Sequence, residues 1–339
     1  MRLNLRELQL QLIKVSTSTQ PIDNLFASLS LEKNLSKQLE IIWSFHSSMN
    51  SNSYLTNCNY ANLRDFGFLC AKITKHKENL SSFYKFLEIL SYNGKILDEV
   101  PRDTVFTYGP MNSTLVKRVF TPFVEENLFI DAFTSGMYSL FECLDELSEI
   151  YNKIESNPID DVIAFKINNA NNKFKGMVSA IKQIHLKISP QIFTYELRPY
   201  FEPFWVDGVS YNAPGGAGMP VLLVDQILWS NEFWSKFYEE YFKTNLKYLP
   251  KKLRQASEEF QGKSTIRQLI KVRQLKLSEI AFGDFCKTLL IFRGIHKKVA
   301  DSNFELRPDG SLGSGGETPD QILQLLVAKT FQLKQNKGE

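Results

Sequence analysis

The segment FKGMVSAIKQIHLKI, residues 174–188, decides the fold class, because its apolar residues recur every three or four positions. This spacing places them on one face of an α-helix. The same spacing recurs in two later segments. It is carried there by Phe285, Leu289, Phe292, His296 and Val299, and by Ile322, Leu325, Leu326 and Leu333. Sustained alternation of apolar and polar residues is rare, so the sequence predicts an all-α protein.

The chain is long for one domain, since 339 residues correspond to roughly two. The segment 93–112 is rich in Gly, Pro, Asp and Asn, and its YNGK motif (92–95) is typical of a turn. We therefore predict a small N-terminal helical region, residues 1–110, and a larger helical domain, residues 111–339. A second irregular segment, 199–220, is rich in aromatic residues, which predicts that it packs over other parts of the protein.

Charge and cysteine usage exclude several protein classes. Lys and Arg number 40 and Asp and Glu 37, so the net charge of +3 is too small for a binder of nucleic acid. Charges recur through the first 15 residues, which is not typical of a signal peptide. No apolar run is long enough to cross a bilayer. The four cysteines stand far apart, which is typical of a reducing compartment. We expect a soluble, cytoplasmic protein without membrane or nucleic-acid partners, and the oligomeric state stays open.

His296 lies within an otherwise apolar helical face and has two interpretations. By position alone, a core histidine bonded to a backbone carbonyl is favoured. The alternative is an axial haem ligand, which needs a neutral imidazole nitrogen facing an apolar cavity. Gly294 would then let a flat macrocycle approach the helix. His46 and His76 fit either a distal base or, more simply, exposed surface positions.

Two further features have a simple interpretation and a functional one. Arg198 is either a surface arginine or a bidentate clamp for a carboxylate. The glycine-rich segment Gly313–Gly316 is either a flexible loop or a lid that closes on a ligand. Residues 262–265 read GKST, but Ser257 stands where a phosphate-binding loop requires glycine, which excludes that motif.

Five short motifs, in this order along the chain, resemble the haem-dependent aromatic oxygenase superfamily, which includes the indoleamine and tryptophan 2,3-dioxygenases. They are SPQIFTYELR (189–198), GVSY (208–211) with PGGAG (214–218), YLP (248–250) with Phe260, IFRGIH (291–296) and GSGG (313–316). Residues 197–208, LRPYFEPFWVDG, resemble most the monodechloroaminopyrrolnitrin synthase-like branch. The resemblance covers roughly the last 150 residues well and the first half poorly.

The resemblance implies an indoleamine 2,3-dioxygenase-like helical fold that binds haem b. His296 would be the ligand of the iron, and Asp225 would orient its imidazole. Arg293 and Gly216 would also contribute to cofactor binding.

On the substrate side, the resemblance assigns the distal wall to Phe193, with Phe129 or Phe133. Arg198 would hold the substrate carboxylate, and the hydroxyl of Ser314 would contact the substrate from the glycine loop.

By the same resemblance, the protein activates dioxygen and oxygenates an indole or other aromatic amino acid, tryptophan or a substituted tryptophan. The setting would be secondary metabolism or amino-acid catabolism. Ring cleavage, hydroxylation and rearrangement all stay open, since one fold hosts several outcomes. The alternatives are a non-catalytic haem- or ligand-binding helical protein, and a helical scaffold in which His296 is only a core residue.

Overall fold

The computed structural model describes residue 5 and residues 19–112, 116–215, 219–229, 235–308, 313 and 319–335. Its regular secondary structure is helical apart from one short hairpin, so the all-α prediction is confirmed. No helix within these ranges is both long and apolar enough to cross a lipid bilayer.

The N-terminal helices surround one buried helix, α4. The helices are α1 (Gln20–Leu31), α2 (Leu35–Ser48), α3 (Asn52–Leu55), α4 (Tyr60–Lys75), α5 (Tyr84–Leu97) and α6 (Val105–Tyr108), with 3₁₀ turns at Leu80–Phe83 and Pro110–Asn112. Every residue of α4 from Ala61 to Ile73 is buried, because neighbouring elements cover all of its faces.

The later helices are longer and pack side by side. They are α7 (Val124–Ser156), α8 (Asp160–Lys187), α9 (Val221–Leu228), α10 (Lys236–Leu246), α11 (Lys251–Phe260), α12 (Ile266–Val272), α13 (Lys276–Phe304) and α14 (Pro319–Gln335). Helix α8 packs along both α7 and α13, and α14 lies against α13. The apolar faces predicted from the three- and four-residue spacing are the faces that these contacts bury.

The buried apolar side chains of these elements form two large cores. One is built mainly from α7 to α14, together with Val105, Phe106 and Met111, and the other mainly from the N-terminal helices, together with Ile130 of α7. The second core also takes in Leu197, Tyr200, Phe201, Phe204 and Val206, from a segment far beyond residue 110. The division at residue 110 therefore stays a prediction, and any boundary has to assign this later segment to the N-terminal core.

The turn predicted at residues 92–95 is wrong, because these residues lie inside α5. The Asn93 side chain accepts hydrogen bonds from Asn59 N at 3.0 Å and from Asn62 Nδ2 at 3.2 Å. A Cβ atom on Gly94 would lie 2.9 Å from the carbonyl oxygen of Glu99. Asn93 is thus required for a buried polar contact and Gly94 for a close approach of the backbone. Together they produce an Asn-Gly pair, which is also typical of a turn.

The aromatic-rich segment 199–220 contains a hairpin of β1 (Phe204–Val206) and β2 (Val209–Tyr211). Its two turn residues, Asp207 and Gly208, both have positive φ, at 50° and 74°. An Asp-Gly pair is a strong hairpin signal. The hairpin was not predicted because helical spacing dominates the rest of the sequence. Phe201 and Phe204 are buried as expected, but Trp205 is 63% exposed, so the predicted packing holds for part of the segment.

Candidate functional site

A cavity of about 280 Å³ lies among α7, α8, α9, α13, α14 and the segment that follows α8. Most of its surface is apolar. Six residues singled out from the sequence contribute to its wall: Phe193, Arg198, Asp225, Arg293, His296 and Gly313. Phe129 and Phe133 line it as well. Gly216 and Ser314 lie outside the described residues.

His296 continues the buried stripe of α13 to the cavity wall. Phe285, Leu289 and Phe292 are buried before it along the helix, and the His296 ring lies 5.9 Å from that of Phe292. Burial, and secondarily the nearby Arg293 guanidinium, lowers the pKa of His296 to about 4. The imidazole is therefore neutral near pH 7 and retains a lone pair for a metal. No hydrogen bond to this ring occurs among the described residues, so the carbonyl-bonded interpretation has no support.

Asp225 pairs with Arg293, which is a different contact from the one the resemblance implies. Both side chains are almost fully buried, and they form a short ion pair. Trp229 Nε1 donates a second hydrogen bond to Asp225 at 3.0 Å. Burial raises the pKa of Asp225, although the Arg293 guanidinium opposes that shift. The Tyr238 hydroxyl also interacts with this carboxylate, and none of these three partners is His296.

Arg293 in turn connects three helices near the cavity. From α13 it reaches Asp225 on α9, and on α14 it donates to the carbonyl of Leu326 at 3.3 Å and to Thr330 Oγ1. Arg293 and His296 lie one turn apart on α13. Asp225 can therefore act on His296 through Arg293, both through its charge and through the placement of α13.

The aromatic wall depends on a break after α8. Pro190 lacks an N–H and disfavours a helical residue before it, and α8 ends at Lys187. A π-helix, Ile192–Leu197, follows, a rare form that is frequent at functional sites. It carries Phe193, whose ring lies 5.7 Å from Phe129, and Phe129 stacks on Phe133 at 6.2 Å.

Arg198 is 8% exposed, so the interpretation as a surface arginine is wrong. Its Nη1 donates to the carbonyl oxygen of Phe201 and lies 3.2 Å from Glu202 Oε1. Burial lowers the pKa of Arg198, and so does Arg307, a second arginine on the cavity wall. Sequence reasoning had not singled out Arg307.

Two other predictions from the sequence need correction, and one cavity residue was not predicted. Gly294 is exposed and does not line the cavity, because two residues along an α-helix turn the side chain by about 200° from His296. His46 is buried among aromatic rings of the N-terminal core, so it is neither a surface residue nor a cavity residue. His185 lines the cavity from α8, where Ile184 and Ile188 on the same face were the signal that could have identified it.

The donor set of this cavity fits haem. Within the described ranges, no group of three or more His, Cys, Asp or Glu side chains is placed to hold a metal ion. The cavity instead offers single imidazoles on a mainly apolar wall, and a macrocycle supplies its own equatorial ligands. His296 would hold the iron, and the aromatic side chains would contact the ring system.

A neutral imidazole that faces an aromatic cavity fits the axial ligation found in families of haem proteins. The sequence model of one such family, monodechloroaminopyrrolnitrin synthase PrnB, matches residues 3–298. Because this match covers most of the 339 residues, the chain belongs to that family.

The family consists of haem-dependent oxygenases of secondary metabolism, with an indoleamine and tryptophan dioxygenase-like helical fold. The predictions of that fold and of an oxidoreductase enzyme are therefore confirmed. The match also covers the first half of the chain, where the resemblance had been poor. It includes His296 and ends before Gly313.

Proposed function

We propose that the chain binds haem b in this cavity through His296 and oxygenates an indole amino acid, tryptophan or a substituted tryptophan. One observation carries the proposal: a neutral, half-buried imidazole lines the same cavity as Phe193 and Arg198. Bound haem would supply the iron that activates dioxygen. A cytoplasmic location belongs to the same proposal.

The protein's own residues would exclude water and orient the substrate. Phe129, Phe133 and Phe193 form a continuous aromatic wall, against which an indole ring can stack. The Arg198 guanidinium has two parallel donors suited to a carboxylate. Holding the ring and the carboxylate at once fixes the orientation of the amino acid, and orientation is a large part of catalysis between two bound reactants.

The iron ligand can be tested with a matched pair of histidine variants. His296→Ala should lose stoichiometric haem or change its Soret spectrum, with a haem affinity weakened by more than about 100-fold, since even outer contacts of a metal site are worth 10- to 100-fold. His185→Ala removes a histidine from the same cavity and should keep its haem. A normal Soret band in His296→Ala together with haem loss in His185→Ala would assign the iron to His185 instead.

The carboxylate clamp can be tested by substrate titration. Truncating one partner of a buried charge pair costs about 2–5 kcal/mol, so Arg198→Ala should weaken tryptophan binding by roughly 30-fold or more. Arg198→Lys should recover part of this loss, and indole should bind all three proteins alike. Equal tryptophan affinities in the wild type and Arg198→Ala would remove Arg198 from the substrate site.

The glycine loop and Gly216 stay in the proposal on the strength of the sequence resemblance, with support from Gly313 on the cavity wall. The Ser314 hydroxyl would contact the amino-acid end of the substrate. Gly315→Val should raise the apparent substrate constant more than it changes haem content. Protease cleavage within residues 307–316 that is equally fast with and without substrate would contradict a lid role.

A further inference from the structure

Two arginines and one glutamate meet beside the cavity. Arg198 and Arg307 both line it, although 109 residues separate them in the chain. Arg198 Nη1 lies 3.2 Å from Glu202 Oε1. The Arg198 side chain is buried at this contact, whereas the Glu202 side chain is 49% exposed. The Glu202 carboxylate thus pairs with Arg198, and Arg307 lines the same cavity.

Two hydrogen bonds hold the segments that carry the arginines together. Thr194 Oγ1 donates to the carbonyl of Asn303 at 3.2 Å, and Tyr195 OH donates to that of Leu306 at 3.1 Å. These bonds join the π-helix to the end of α13. Arg198 follows the π-helix, and Arg307 follows Leu306 at the end of α13. The same two hydrogen bonds therefore hold the backbone segments of both arginines together.

The main chain of Glu202 is anchored, but its side chain is not enclosed. The fully buried Arg102 donates from Nη1 to the carbonyl of Glu202 at 3.4 Å and to that of Tyr211 at 2.8 Å. A half-exposed side chain on a fixed backbone can turn into solvent without moving the loop. Burial lowers the pKa of both Arg198 and Arg307, and the Glu202 carboxylate opposes the shift in both. Glu202 therefore acts electrostatically on the two arginines together.

We propose that Glu202 is an internal competitor for the substrate carboxylate, which occupies the Arg198–Arg307 pair until an entering carboxylate displaces it. This inference rests on the proposed function and extends it to substrate selection. A ligand carboxylate has to bind the arginines better than the tethered one does. Indoles without a carboxylate do not disturb the Arg198–Glu202 pair.

The test uses two indoles that differ in one group, indole-3-propionate and 3-(indol-3-yl)propan-1-ol. Calorimetric titration of the haem-loaded, full-length protein gives the Kd of each. Glu202→Gln removes the competing charge but keeps the size of the side chain. It should bind the propionate about two- to fivefold more tightly, the range that partly exposed ion pairs contribute. Arg307→Ala should bind it at least about threefold more weakly, and the alcohol should bind all variants alike.

Glu305→Gln is the matched control, because Glu305 is exposed and lies two residues from Arg307. It should leave both Kd values unchanged. An equal gain in Glu305→Gln and Glu202→Gln would reveal a general charge effect and overturn the proposal. Unchanged propionate binding in Glu202→Gln would overturn it as well, but leave the proposed function intact. If neither indole binds the haem-loaded wild type, the proposed substrate class fails and this inference fails with it.

Discussion

Replacing Asp225 by alanine should destabilise the protein strongly, because it leaves the Arg293 guanidinium buried without its carboxylate. The two side chains are 1% and 2% exposed. Breaking such a pair from one side costs about 3–5 kcal/mol. Trp229 Nε1 also loses its acceptor. Arg293 keeps the carbonyl of Leu326 and the hydroxyl of Thr330, so we expect a loss near the lower limit, about 3 kcal/mol.

Urea unfolding followed by far-ultraviolet circular dichroism, at one fixed haem content, measures this loss. The double variant Asp225→Leu/Arg293→Met removes both charges and should regain more than half of it, since no buried charge is left unpaired. Asp284→Ala is the control on α13, because its ion pair with Lys287 is about half exposed and worth at most about 1 kcal/mol. A loss below about 1 kcal/mol in Asp225→Ala, or a double variant no more stable than that single variant, would refute the reasoning.

Three further outcomes are expected. Burial, and then Lys85, lowers the pKa of His46 below 6.5. The folded state therefore favours the neutral ring, and its stability falls as the pH falls through 6.5. His46→Phe should flatten the pH dependence of the free energy of unfolding between pH 7 and 5. Gly67→Ala should cost about 1–3 kcal/mol in urea unfolding, because its Cβ would lie 2.4 Å from Asp103 N, whereas Gly283→Ala meets nothing within 4 Å and should be neutral or stabilising. Phe193→Ala should raise the Kd for tryptophan but leave the Soret spectrum of the haem-loaded protein unchanged, and a lost Soret band would move Phe193 from the substrate side to the haem.

The residues of the candidate site were accessible from sequence to different degrees. His296 stood out because its neighbours on α13 repeat every three or four residues and bury the same face. Phe193 and Arg198 were identified through the resemblance. Arg307 was missed because it lies beyond the end of α13, where nothing in the local sequence indicates what it faces. His185 was missed although the apolar Ile184 and Ile188 near it on α8 were a usable signal. The cavity that collects these residues exists only once the helices pack.

By itself, the sequence determined the helices and their buried faces. Those properties depend on spacing within one segment, such as residues 174–188, and each helix satisfies its own backbone hydrogen bonds. Local signals were misleading where distant contacts altered their meaning, as at Asn93 and Gly94, whose turn-like chemistry serves a packed helix.

Tertiary structure alone decided which charges meet. Asp225 lies 68 residues from Arg293, and no spacing rule connects them. The fold nevertheless brings Asp225 on α9 to Arg293 on α13, rather than to His296. The same holds for Arg198 and Arg307, which are brought together by hydrogen bonds from the π-helix to the end of α13. A buried ion pair has to satisfy both partners at once, and only the three-dimensional arrangement specifies both.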